Sequence, residues 1–258
     1  MRPIESASFF MCYDVKSGTL QLLKYAKHRS EDPSIIAELE AQLDKVSKEA
    51  AWKSLAHVKA FEHPSLLVFT NEAPFNPQLF RWGLIPAWAR DAEEAKSIST
   101  KTFNARLETA AEKPSFKESL ERKRCLIYVD AFYEFQHSGR KKIPYIISAP
   151  TLDEPLIFAG LYSEWTDQRT GEFLQTTSIV TIKGIGKMAE IHNNPALAEP
   201  RMPLFLSKEW QDIWLLNGNN PWSQDELNQY VERLSTKKLL QIGQREDDIL
   251  PDNQLALF

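Results

Sequence analysis

Arg124-Cys125-Leu126-Ile127-Tyr128-Val129-Asp130-Ala131-Phe132-Tyr133-Glu134-Phe135 is the stretch on which the reading of this chain turns. Cys125 to Val129 is short, apolar and partly β-branched or aromatic, so it predicts a strand. Runs of the same kind lie around it: Leu66 to Phe69 before, then Tyr145 to Ser148, Leu156 to Leu161 and Thr177 to Thr181. Thr166 to Gly171 separates the last two and reads as a hairpin loop. Helical patterns are interleaved with these strands. Asp32-Pro33 supplies an N-cap and a first-turn proline, and Ile35, Ile36, Leu39, Leu43 and Val46 then recur at helical spacing. Ser115 to Arg122 predicts a short helix, and Ser207 starts one that runs through Trp210, Ile213, Trp214 and Leu215. Ser223 with Glu226 forms a capping-box pattern for a last helix. Strands and helices mixed without regular βαβ alternation predict an α+β fold with antiparallel strands.

The 258 residues suffice for a full core, and no linker divides them. One domain is expected over 12–245, preceded by residues 1–11 and followed by a flexible tail, 246–258, that is polar and acidic before an apolar tip. A hydrophobic content of 43% and a charged content of 26% are those of an ordinary globular protein. The net charge of −4 excludes a protein that coats nucleic acid by bulk charge, though not one with a local basic groove. Arg122-Lys123-Arg124, Arg140-Lys141-Lys142, Lys183 and Lys187 are candidates for such a groove, with 140–142 reading equally as a hairpin tip. Two cysteines, Cys12 and Cys125, form no disulfide framework and point to a reducing, cytoplasmic setting. No apolar run approaches the roughly 20 residues of a membrane span, and residues 1–10 lack a signal-peptide core.

Within the opening stretch, Glu134 follows an apolar strand and is flanked by aromatics. A carboxyl held in such a place has a raised pKa and suits proton transfer, whereas at a strand end facing water it does nothing special. Cys12 follows Met11. As an N-terminal residue it would carry an amine and a thiol on adjacent carbons, able to condense with an aldehyde to an imine and close to a thiazolidine. Both groups titrate near pH 8. As an internal residue it is a small hydrophobe. Arg81-Trp82-Gly83-Leu84-Ile85-Pro86-Ala87-Trp88 offers tryptophans for base stacking or for core packing. Asn104-Ala105-Arg106-Leu107-Glu108-Thr109 offers an amide and a phosphate-binding guanidinium. Ile191-His192-Asn193 lies nine residues before Arg201-Met202-Pro203, and histidine is the usual proton shuttle near neutrality.

Taken in order, Met-Cys, Trp-Gly-Leu-Ile-Pro, Asn-Ala-Arg-x-Glu-Thr, Arg-Cys-Leu-Ile-x-x-Asp-x-Phe-Tyr-Glu, Ile-His-Asn and Arg-Met-Pro, this set resembles the SRAP family, the SOS-response-associated peptidases. The likeness runs from about Met11 to about Trp214. It implies an SRAP-like domain of mainly antiparallel twisted sheets in a barrel-like arrangement with flanking helices. It implies a protein that binds single-stranded DNA, links covalently to the aldehyde of an abasic site through an N-terminal cysteine, and frees that cysteine as an autopeptidase. Cys12 then matches the nucleophile and Asn104 the residue that orients cysteine and sugar. Glu134 matches the acid/base for amine and imine, and His192 the group that protonates the sugar oxygen. Arg106 would hold a phosphate, Trp82 would stack on or wedge between bases, and Pro86, Arg201 and Met202 would line the DNA path. No metal or cofactor is implied.

The chain departs from the family pattern in several places. Residues 1–10 precede the expected start, and translation from Met11 is preferred over self-processing. Tyr13-Asp14 replaces Gly-Arg, which removes a phosphate contact. Asp130-Ala131 replaces Asp-Gly, and the segment near Val58 to Pro64 is altered. Gln254-Leu255-Ala256-Leu257-Phe258 resembles the pentapeptide that docks on the DNA sliding clamp, with Gln254 at the pocket rim and Leu255, Leu257 and Phe258 as apolar contacts. A monomer is expected. Two other readings compete: a thiol peptidase acting on other proteins through Cys12, His192 and Asn104, and a non-catalytic nucleic-acid-binding module with a structural cysteine.

Overall fold

The computed structural model describes residues 14–17, 22–48, 55–139, 141–149, 154–216, 229–230 and 241–243. Cys12, the segment 1–11, the tail with Gln254, Leu255, Leu257 and Phe258, and most of the helix expected after Ser223 lie outside them.

In chain order the elements are β1 (Asp14–Ser17), α1 (Leu22–Arg29), α2 (Pro33–Ser47), β2 (Leu55–Lys59), β3 (Ser65–Thr70), β4 (Gln78–Trp82), α3 (Ala92–Ser99), β5 (Asn104–Arg106), α4 (Leu107–Ala110), α5 (Lys117–Arg122) and β6 (Arg124–Val129). They continue with β7 (Ala131–Ser138), β8 (Lys141–Ser148), β9 (Leu156–Thr166), β10 (Phe173–Lys183), α6 (Gly186–Ile191), β11 (Arg201–Pro203), α7 (Lys208–Leu216) and β12 (Gln241–Gly243). The expected α+β class is the observed one.

All six residues of β6 are buried. It lies antiparallel between β3 and β9. β3 pairs antiparallel with β4, and β9 with β10, while β10 meets β4 in parallel at Thr176 and Thr177. These pairings close a ring, β4-β3-β6-β9-β10, so the barrel has no exposed edge there. Gly160 permits the closure: a Cβ on it would lie 2.7 Å from both Cys125 Sγ and Ile127 Cδ1. Beyond the ring, β10 carries β5 in parallel along Ile179 to Thr181 and β11 antiparallel along Thr181 to Lys183.

A second, wholly antiparallel sheet has the order β12-β8-β7-β1-β2. Only Asp130 separates β6 from β7, so one continuous run of chain passes from the barrel wall to the middle of the second sheet. Asp130 accepts a hydrogen bond from the Tyr25 hydroxyl at 2.9 Å, which pins that corner to α1. One hydrophobic core joins the sheets, since it contains Val15, Phe132 and Ile147 along with the barrel strands.

The predicted cap and buried face of the first long helix hold. Asp32 accepts from the Ser34 N–H at 2.8 Å at the head of α2, which buries Leu39, Leu43 and Val46. Trp214 of α7 donates from Nε1 to the Cys125 carbonyl at 3.0 Å and lies 5.0 Å from the Arg124 guanidinium. Arg124 is thus a fully buried core residue rather than part of a basic groove, and burial pushes its pKa down to about 10. Among the described residues no helix is long and apolar enough to cross a membrane.

Candidate active site

β7 alternates its side chains between the two faces of its sheet, and Glu134 is on the buried side, 7% exposed. Its Oε1 accepts from the Phe135 N–H at 2.9 Å. Its Oε2 faces His192 Nε2 at 3.7 Å, within ion-pair range but beyond a direct hydrogen bond.

His192 follows α6 and is 1% exposed. Three contacts fix it. Its own N–H closes α6 by donating to the Met188 carbonyl at 2.9 Å. Its ring Nδ1 lies 2.9 Å from the Arg201 backbone nitrogen, whose N–H can only donate. Nδ1 is therefore the acceptor, and the proton of the neutral ring sits on Nε2, toward Glu134. The third contact is indirect: Asn193 bonds to His137 of β7, through Oδ1 from the N–H at 2.6 Å and through Nδ2 to the C=O at 2.9 Å.

Arg201 is 2% exposed. Its guanidinium reaches past β10 and forks onto Glu108 of α4, with Nη1 to Oε1 at 2.9 Å and Nη2 to Oε2 at 2.7 Å. Further bonds run to Glu199 and to the Thr181 carbonyl. Burial alone would raise the Glu108 carboxyl, but the Arg201 hydrogen bonds and charge, with its own backbone and the Lys183 N–H, outweigh that and hold it below the carboxylate range. The pair couples the two halves of the site. Glu108 sits four residues after Asn104, and the Arg201 backbone holds His192.

Asn104 is 8% exposed and lies beside Ile179 at the edge of β10. Both of its side-chain polar atoms, Oδ1 and Nδ2, are buried without a hydrogen-bond partner among the described residues. Buried amides are nearly always satisfied, so this one has donor and acceptor capacity to spare for another group.

The structure thus brings Glu134 and His192 into contact and ties Asn104 to the same strand that carries β11. Arg106, next to Asn104, is exposed and able to meet a phosphate. Four expected DNA contacts are corrected. Trp82 is 0% exposed, and its Nε1 donates to the Phe103 carbonyl at 2.8 Å, so it packs the core. Trp88, 48% exposed, is the aromatic of that segment at the surface. Gly83, with φ +111°, turns the chain inward between them, where a Cβ would lie 2.7 Å from the Ser99 carbonyl. Pro86 and Met202 are buried, and Arg201 is consumed by Glu108.

Cys125 is fully buried against Thr177, and burial pushes its thiol up to about 12, outside nucleophilic range at cellular pH. Among the described residues no group of three or more His, Cys, Asp or Glu is placed to hold a metal ion. Sequence reasoning quoted Glu108 and Asn193 within its motifs but gave neither a role. The only signal available was their place beside Asn104 and His192.

The fold and much of the sequence recur in other proteins. A crystal structure of a Bacteroides thetaiotaomicron protein superposes with a TM-score of 0.69 and 29% identity, covering 92% of this chain and 93% of that one. Abasic site processing protein YoqW of Bacillus subtilis is 41% identical over 146 residues, 56% of this chain and 58% of its own length. Abasic site processing protein YMR114C of Saccharomyces cerevisiae is 33% identical over 174 residues, 67% of this chain and 44% of its own. The matches thus cover 58% and 44% of the lengths of these two relatives. Residues 25–244, which hold Asn104, Glu134 and His192 with their supports, match the model of the SOS response associated peptidase family, and the chain belongs to that family.

Proposed function

We propose that this protein captures abasic sites in single-stranded DNA as a thiazolidine on an N-terminal Cys12. The observation that carries the reading is the buried Glu134–His192 pair at the start of the strand pairing made by β1. Asp14 is opposite Tyr133, the neighbour of Glu134. Two residues of chain span at most about 7 Å, so the tether from Asp14 to Cys12 supports pairing that cysteine with the Glu134 carboxyl.

The reaction begins with the closed sugar of the abasic site. Glu134 takes the proton of the anomeric hydroxyl and passes it to the ring oxygen, to which His192 donates a hydrogen bond from Nε2, as the hemiacetal opens to the aldehyde. The Cys12 amine adds to the aldehyde carbon, Glu134 takes the proton released by the nitrogen, and its protonated form returns that proton to the departing hydroxyl. Water leaves and an imine forms. The thiolate then attacks the imine carbon and the nitrogen regains a proton, so amine, thiol and aldehyde become thiazolidine and water. Asn104 orients the sugar and the cysteine with its otherwise unmatched amide. Arg106 contributes a phosphate contact. The matching abasic site processing proteins support this substrate class. Self-removal of residues 1–11 is proposed as one route to the free amine, translation from Met11 as the other.

The test starts with intact mass spectrometry, to establish that Cys12 is the first residue. An abasic single-stranded oligonucleotide should then give a denaturation-resistant band that Cys12→Ala lacks. No band from protein with a free N-terminal Cys12 overturns the proposal. Gln254 to Phe258 are proposed as a sliding-clamp ligand, and unchanged clamp affinity after their deletion would overturn that part.

A further inference from the structure

We infer that Asn193 is a positioning residue for His192, acting as a one-residue strand against β7. The inference rests on the proposed role of His192. In an antiparallel sheet, alternate residues present their N–H and C=O to the same neighbour. The tight β7–β8 hairpin, with Ser138 opposite Lys141, assigns the even-numbered residues of this part of β7 to β8. His137 therefore presents its backbone to the other edge, the edge on which β1 pairs up to Tyr133. Asn193 occupies that edge at His137. Its side-chain carbonyl and amide reproduce the two bonds a strand residue would make, at 2.6 and 2.9 Å.

A second bond acts in the same direction. Gln136 donates from Nε2 to the Glu190 carbonyl at 3.1 Å, just before the turn. The turn bearing His192 is thereby fastened to the strand bearing Glu134 on the far side of their contact. Arg201 fastens the same ring from β11 through Nδ1. Without the Asn193 attachment the turn that carries the ring is held less firmly against β7, and the 3.7 Å approach of Nε2 to Glu134 loosens with it. Asn193 is itself exposed, so it carries little of the core and its effect should be read mainly through His192.

Two measurements test this on the full chain. The first is the 15N imidazole spectrum of His192 in the free protein across a pH series. It should show the Nε2–H tautomer, and Asn193→Ala should broaden or average that signature while the amide spectrum of the barrel is unchanged. The second is the rate of cross-linking to an abasic oligonucleotide against pH. Asn193→Ala should slow it by roughly tenfold, about 1.4 kcal/mol, and change the pH profile. Asn193→Asp keeps the acceptor for the His137 N–H and loses the donor, so it should fall between. Should Asn193→Ala fail to fold, Asn193→Asp carries the test. An unchanged His192 spectrum in the folded variant overturns the inference. If wild-type protein forms no cross-link, the proposed function fails while the spectrum still decides the role of Asn193.

Discussion

The backbone N–H of Arg201 bonds to Nδ1 of His192 at 2.9 Å, and that single contact determines which proton the histidine can offer. Protonating Nδ1 would set two N–H groups against each other. The neutral ring can donate only through Nε2, so the proposed mechanism assigns the mobile proton to Glu134. Glu134→Gln should therefore lower the cross-linking rate about 10²- to 10³-fold, as loss of a general acid/base does. His192→Gln, which keeps a donor, should cost less than His192→Ala. Equal losses for the two histidine variants would contradict donor-only action.

Asn104 sets stability against function. Its amide makes no hydrogen bond among the described residues, so replacing it removes none of their bonds. Relieving a buried unsatisfied polar group returns about 1–3 kcal/mol. Asn104→Ala should unfold at a higher denaturant concentration than the parent by that order, less the small cavity it leaves. It should also react slowly with the abasic oligonucleotide. A variant that is both less stable and fully active would remove Asn104 from the site.

The motifs were legible in sequence because their order survives divergence, and β6 was legible because a barrel strand buried on both faces is apolar along most of its length, here Cys125 to Val129. The partners were not. Trp82 reads as a stacking surface until it is found on the buried face of β4 with Phe80. Arg201 reads as a phosphate ligand until Glu108, a residue 93 positions earlier, is found against it. β1 and β2 exist by virtue of β7, and β5 and β11 by virtue of β10. Strands of three to five residues carry too little periodicity to announce themselves without the strand they lie on.

The two cysteines should separate cleanly under alkylation. Cys125 has a thiol pushed up to about 12 and no access to solvent, so at pH 8 it should resist iodoacetamide until the protein unfolds. Cys125→Ser should keep the cross-linking activity that Cys12→Ala loses. Peptide mapping after a brief labelling pulse checks the first statement. Rapid labelling of Cys125 in folded protein would contradict its place in the barrel.

Arg106 and Arg201 should part company in a salt titration. Arg106 is exposed, so Arg106→Ala should weaken binding to single-stranded DNA and lower the steepness of its salt dependence by about one phosphate's worth. Arg201→Ala leaves the Thr181 carbonyl without its donor and Glu108 without its forked partner, and should instead cost about 1–3 kcal/mol of stability, since Glu108 is partly solvated. Arg201→Lys should not restore it, since an ammonium cannot fork. Fluorescence anisotropy at several salt concentrations and a urea melt separate the two outcomes.

His28 predicts the acid limb of the stability curve. Burial first, then the charges of Lys208 and Arg29, lower it from 6.5 to about 4. Arg29 is in turn paired with Asp212, and Lys208 with Glu31. A folded pKa below the unfolded one means the unfolded chain takes up the proton first. Stability is thus fully present above pH 6.5 and is lost as pH falls toward 4. Between pH 7.5 and 5 this one group should account for about 2 kcal/mol. His28→Phe places no titrating group there, so its denaturation midpoint should fall less over that range than the parent's. Parallel pH dependences for the two proteins would show that His28 titrates normally in the fold.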